Sequence, residues 1–310
     1  MPLFGQTSAG FQLFLFPGIV LLGTVVFMAL AFVTASLIFG VPLETVPALV
    51  NQTDTSTGLN VARMMQVGSQ LGLFVFPPLF FAWLVSRFPF AYLGFRTELK
   101  LQQLLPGLIL LFAALPFIHA LADLNKAMQL PAWLHEIEHW MLEKEDFAGI
   151  LTERFLGVES IYLLFFNLLM IAVIPGIGEE MVFRSVLQPL FGKLFRNVHA
   201  GLVLSAFLFA FMHMQFYGFL PRFVLGIFLG YAYLWSGSVW LPVMMHTLNN
   251  AAAVVVFYLH HNAWIKTDIE NFGSASGNIY WVVASLILTC VLLFIMWSGR
   301  KWHSKKEAHP

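Results

Sequence analysis

Three groups of polar residues sit inside long apolar runs of this sequence, and their side-chain types suit proton transfer and charge stabilisation. The first is Pro175-Gly176-Ile177-Gly178-Glu179-Glu180-Met181-Val182-Phe183-Arg184, at the end of an apolar run. Charged groups at the centre of a bilayer cost about 2.5–3.5 kcal/mol each on insertion scales, so two carboxylates and a guanidinium need partners or a purpose. Glu180 and Arg184 are four apart, share a helix face and are spaced for an ion pair. Glu179 points about 100° away and is left free to hold a proton or a water. A carboxylate removed from water beside a like charge is suited to act as a general base near neutral pH. Taken alone, the same residues also fit a solvated helix end at the cytoplasmic interface.

The second group is Phe209-Ala210-Phe211-Met212-His213, a single imidazole among apolar side chains that could equally be a hydrogen-bonded packing residue. The third is His246-Thr247-Leu248-Asn249-Asn250. His246 and Asn250 are four apart, so their side chains can meet one polar atom, and Asn249 lies near the same face. Spacing does not separate the two asparagines, and helix–helix hydrogen bonding would use the same residues. In combination, the three groups are expected to face one another across a polar cavity, because facing lipid would cost each separately. A carboxylate base, imidazoles and an amide donor are a sufficient set for hydrolysis. Two histidines and a glutamate are also a catalytic zinc set, which keeps a metal-dependent membrane protease at the same site as an alternative.

A fourth pattern competes for attention. His135-Glu136-Ile137-Glu138-His139 spells the helical zinc-protease pattern, yet no third ligand is evident nearby. It lies in an acidic stretch over 124–160 with Trp133, Trp140, Glu143, Glu145 and Asp146, which reads as an amphipathic interfacial helix.

The elements that must hold these groups are membrane helices. Of 310 residues, 59% are hydrophobic and 10% charged, against about 25% charged in soluble domains. Several apolar runs exceed the ~18 residues that signal a spanning helix. We place eight spans at about 15–40, 63–86, 104–123, 161–183, 200–217, 221–236, 239–259 and 278–299. The expectation is a single all-α transmembrane bundle over 1–310 with a polar intramembrane cavity. The first run is too long for a signal-peptide core and reads as a retained helix. The single Cys290 excludes an internal disulfide, and the glycosylation-like Asn51-Gln52-Thr53 is a pattern common by chance.

Basic residues favour the cytoplasmic ends of helices. With both termini cytoplasmic, the inner face collects Arg87, Arg96, Lys100, Lys193, Arg196, Arg300, Lys301, Lys305 and Lys306. The outer face then holds Arg63, Lys126, Lys144, Arg154, Arg222 and Lys266, with most of the acids, Glu44, Asp54 and Asp123 among them. Formal net charge is zero, so charge suggests no nucleic-acid partner. A proton-relay transporter is disfavoured, since no internal repeat is visible.

At these residues the chain resembles the CAAX protease and bacteriocin-processing family of intramembrane glutamate endopeptidases, also called the Abi or type II CAAX prenyl endopeptidase family. Its pattern is E-E-x-x-x-R, F-x-x-x-H and H-x-x-x-N on successive helices, met here by Glu179-Glu180 with Arg184, Phe209 with His213, and His246 with Asn250. The resemblance covers about residues 160–260. It implies that Glu179 and His213 activate a water, that His246 and Asn250 stabilise the oxyanion, and that Glu180 and Arg184 shape the site. It selects Asn250 over Asn249, implies no cofactor, and implies a membrane-anchored or CAAX-like peptide substrate. The Lys/Arg asymmetry fits a bacterial inner membrane or the endoplasmic reticulum, and moderate size without a targeting extension favours the bacterial one. A non-proteolytic immunity or binding protein that keeps the cavity for a partner is the alternative from another class.

Overall fold

A computed structural model describes residues 2–128, 130–266 and 278–300. Ten helices of ten or more residues account for the architecture among these: α1 Ala9–Phe39, α2 Ser56–Val85, α3 Leu101–Ala113, α4 Leu115–Lys126, α5 His135–Leu156, α6 Ile161–Leu194, α7 Val198–Phe211, α8 Phe216–Ser236, α9 Trp240–His261 and α10 Ile279–Ser298. Six (α1, α2, α6, α8, α9 and α10) are long and apolar enough to cross a membrane. The α3–α4 pair makes a seventh span if the two, bent by 47° at Ala114, count as one. Pro116, just past the bend, has no N–H to continue the ladder, which accounts for the break. The chain is therefore an all-helical integral membrane protein, as composition predicts. Lys301, Lys305 and Lys306, assigned above to the inner face, lie outside the described residues.

Caps mark where helices begin. The side chains of Ser8, Thr55, Asn197 and Asn278 accept backbone N–H bonds at the starts of α1, α2, α7 and α10. α6 is the central element, contacting α2, α7, α8 and α9, while α1 lies on α2 and α10 lies on α3 and α4.

Two departures from the expected spans matter for the site. α6 continues to Leu194 instead of stopping near 183, so the Glu-Glu-Arg group is interior to a 34-residue helix. The charges that look like a helix end are instead buried, with Glu180 at 0% and Arg184 at 1% exposure. α7 has only 14 residues, about 21 Å of rise, less than the ~30 Å hydrocarbon thickness. It stops at Phe211, so His213 lies in the turn beyond it and not inside a helix as expected. Glu179 stands fifteen residues before the end of α6 and His213 fifteen after the start of α7. Since the two ends are joined by a three-residue link, the short helix brings both to a similar depth.

Two basic residues assigned to the outer face lie within the span-length helices α2 and α8. Arg63 is buried in α2, where it donates to the Phe155 carbonyl at the end of α5. Arg222 is within α8.

The helices around the site share one local device. Segments 71–75, 168–173 and 181–187 are wound as π-helix, and Pro77, Pro175 and Pro189 follow within two residues. A proline cannot donate to the carbonyl four residues back, and in a membrane that carbonyl must be satisfied from elsewhere. For Pro175 the carbonyl is Ile171, and it accepts a bond from Asn250 of α9 at 3.1 Å. The proline thereby creates a socket for the neighbouring helix.

Candidate active site

The site is built outward from Glu180. One of its oxygens lies 3.0 Å from Arg184 Nε, the ion pair that the four-residue spacing predicts, and the other lies 2.8 Å from His246 Nδ1. A carboxylate only accepts, so His246 donates from Nδ1 and turns Nε2 towards Glu179. His246 Nε2 and Glu179 Oε2 are 4.0 Å apart, too far for a direct bond and close enough for one water to touch both. Glu179 Oε2 is buried and has no hydrogen-bond partner among the described residues. Arg184, Glu180, His246 and Glu179 thus form a file in which Glu180 is held on both sides and Glu179 Oε2 is left open.

Arg184 is fixed by two further contacts. Its Nη2 donates to the Gly226 carbonyl of α8 at 3.3 Å, and its guanidinium stacks over the Phe209 ring, 4.5 Å from the centroid. One turn on, Gln188 Nε2 donates to the Gly230 carbonyl at 3.1 Å. Phe209 itself is a hub, with His213 edge-on at 5.1 Å and His246 edge-on at 5.5 Å. The phenylalanine of the F-x-x-x-H pattern therefore sets both imidazoles as well as covering the cation.

His213 Nδ1 bonds the Phe209 carbonyl at 2.8 Å. A carbonyl also only accepts, so Nδ1 carries the proton and Nε2 presents a lone pair. Asn250 donates to Ile171 and accepts from Asn249 at 3.2 Å, leaving one N–H of its amide uncommitted. Close approach to α6 depends on glycine: a Cβ at Gly176 would collide with Thr247 of α9, and one at Gly178 would lie 3.0 Å from Phe74 of α2.

Sequence reasoning passed over Gln70, whose side chain reaches the Glu179 carboxyl from α2 while its own Oε1 is buried and unpartnered. A lone glutamine between Gly68 and Gly72 in an apolar run was the available signal. Glu179, His213 and His246 are the residues that could serve a metal, with Nε2 open in both histidines. Among the described residues, no three His, Cys, Asp or Glu side chains gather as a ligand set. On α5, His139 pairs with Glu143 at 3.4 Å, both about two-thirds exposed at 66% and 64%.

Residues 161–252 match the family described as type II CAAX prenyl endopeptidase Rce1-like. Over that stretch the chain is similar to the Rce1-like family. The matched segment contains all seven residues of the three motifs, and it coincides closely with the stretch that the motif resemblance covers. A 112-residue stretch is also 30% identical to the membrane-embedded CAAX protease MroQ of Staphylococcus aureus (strain USA300). That stretch covers 33% of this chain and 44% of MroQ, so the match spans less than half of that relative. No solved structure matches the chain.

Proposed function

We propose that this Rce1-like chain is an intramembrane endopeptidase that hydrolyses a peptide bond by general-base attack of water. Glu179 takes the proton of the attacking water, and His213 shares its orientation through the bare Nε2. The free N–H of Asn250 stabilises the oxyanion together with His246 as an imidazolium, which donates from Nε2 while Nδ1 is held by Glu180 and Glu180 by Arg184. The leaving amine recovers the proton from Glu179, so the residues return to their starting state. What chiefly supports this reading is the file from Arg184 to Glu179, which leaves one buried, unpartnered carboxylate oxygen facing an imidazole across the width of a water. A placed base contributes typically ~10²–10⁴-fold and an oxyanion donor about 10²–10³-fold. The substrate we propose is a membrane-associated peptide, CAAX-like in presenting its cleavage point within the bilayer, and the setting a bacterial inner membrane with both termini cytoplasmic.

The test is cleavage of a labelled, membrane-anchored peptide library by purified protein, using wild type, Glu179→Ala and His213→Ala, each with and without chelator. The proposal expects activity that dies in both variants and survives chelation. Activity lost to chelator and restored by zinc would replace it with a metalloprotease. Full activity in Glu179→Ala would remove the assignment of the base.

A further inference from the structure

A cavity of about 250 Å³ opens beside the site between α4, α8 and α9, lined by Leu115, Ile118, Leu225 and Phe228 with two polar side chains, Arg222 and Asn249. A second cavity of about 220 Å³ shares Leu111, Leu115 and Asn249, which makes Asn249 the polar residue common to both. The depth of Arg222 follows from the α6–α8 register. Arg184 bonds Gly226 and Gln188 bonds Gly230, a constant offset of 42 residues. The same offset sets Arg222 level with Glu180, at the height of the reacting groups.

An arginine at that depth should have an anionic partner, and among the described residues no carboxylate oxygen lies within 4.0 Å of Arg222, the distance at which Glu180 pairs with Arg184. Among the described residues its bonds go to Gln215, Nη1 to the carbonyl and Nη2 to the side-chain oxygen. Glu145 of α5 acts on it from farther off, while one Glu145 oxygen accepts from the Tyr217 N–H. Gly218 clears the space, since a Cβ there would collide with Nη1. A guanidinium has five N–H donors, so most of its fork remains to be filled. Asn249 spends one amide N–H on Asn250 and keeps the other.

Resting on the peptidase reading, we propose that this cavity is a specificity subsite in which Arg222, aided by Asn249, takes a carboxylate of the substrate. The planar fork of an arginine matches a carboxylate bidentately, and the apolar walls suit aliphatic residues on either side of it. The carboxylate is either a free C-terminus or an acidic side chain. The first would make the protein cut near a chain end, and the second would make it read an acid beside the scissile bond.

Binding separates this claim from catalysis. Full-length Glu179→Gln protein in nanodiscs is titrated with three dansylated peptides: Leu-Leu-Leu-Ala with a free carboxylate, the same peptide as its C-terminal amide, and Leu-Glu-Leu-Ala amide. We expect one carboxylate-bearing peptide to bind at least about tenfold more tightly than the plain amide, corresponding to the worth of a charge-assisted pair. Which one gains identifies the source. Adding Arg222→Gln should abolish the preference, Arg222→Lys should keep part of it, and Asn249→Leu, which leaves the charge and the fold's buried ion pair alone, should weaken it. Equal binding of all three peptides, no binding of any, or a preference that survives Arg222→Gln overturns the proposal. Because no turnover is read, a protein that hydrolyses nothing yet keeps the preference retains the subsite and loses only the peptidase reading.

Discussion

Two parts of this molecule carry glutamates and histidines at helical spacing, and they differ in nearly everything else. On α5, His135 and His139 match a metalloprotease pattern, but His139 and Glu143 are both mostly exposed and joined at 3.4 Å. Exposed pairs of this kind contribute about 0.3–0.5 kcal/mol, and water is the cheaper partner for each. Around α6, Glu180, Arg184 and His246 are almost wholly buried and joined by contacts of 2.8–3.0 Å across two helices. Removing water makes each contact obligatory, because a buried charge without its partner costs several kcal/mol. The pattern of letters is thus less telling than the company it keeps: the weaker motif, inside an apolar helix, is the one that forms a constellation.

The comparison breaks most sharply at Glu179. Glu179→Ala should reduce peptide hydrolysis by roughly 10²–10⁴-fold, while thermal unfolding of the purified protein stays near wild type, since no ion pair is lost. Comparable activity in the two proteins would place the base elsewhere. Arg184→Met should act on the fold instead, destabilising by about 3–5 kcal/mol because Glu180 is left buried and charged. Unfolding of the double variant Glu180→Gln/Arg184→Met should show much of that loss recovered, and a merely additive result would deny the coupling. At Asn250 the expected effect is smaller: Asn250→Leu gives up a bond worth about 1 kcal/mol in a membrane bundle. In a Pro175→Ala background the N–H of residue 175 can take the Ile171 carbonyl, so the same change should then cost less stability, which a double-mutant cycle would read. Smallest of all, His135→Ala and His139→Ala should leave hydrolysis unchanged and stability within roughly 0.5 kcal/mol. A large loss of activity in either would erase the contrast between the two regions.

Much of this was legible in the amino-acid order. Long apolar runs gave the helices, and four-residue spacing gave the Glu180–Arg184 pair, because periodicity is a local property. What escaped depends on neighbours. The end of α6 was misplaced since Glu179, Glu180 and Arg184 look like a polar terminus until α2, α7, α8 and α9 enclose them. The shortness of α7 was hidden because residues past Phe211 remain apolar, and its consequence for His213 emerges only from its depth relative to Glu179. Arg222 reads from the sequence as an outer-face cation at the start of its span, and its level beside Glu180 becomes evident only through the bonds to Gly226 and Gly230. Gln70 and the socket at Ile171 likewise belong to contacts between helices, which no single window contains.

The borrowed partners of α6 also impose a sequence in time. Arg184 awaits a carbonyl 42 residues downstream, Glu180 an imidazole 66 residues downstream, and Ile171 an amide 79 residues downstream. At synthesis rates of about 5–20 residues per second, the last of these arrives on the order of 4–16 s after Ile171 is made. Until His246 follows, the Glu180 charge has the arginine one turn along the same helix as its counter-ion. The nascent chain therefore carries its own temporary counter-ion, and the centre becomes complete only when α9 docks.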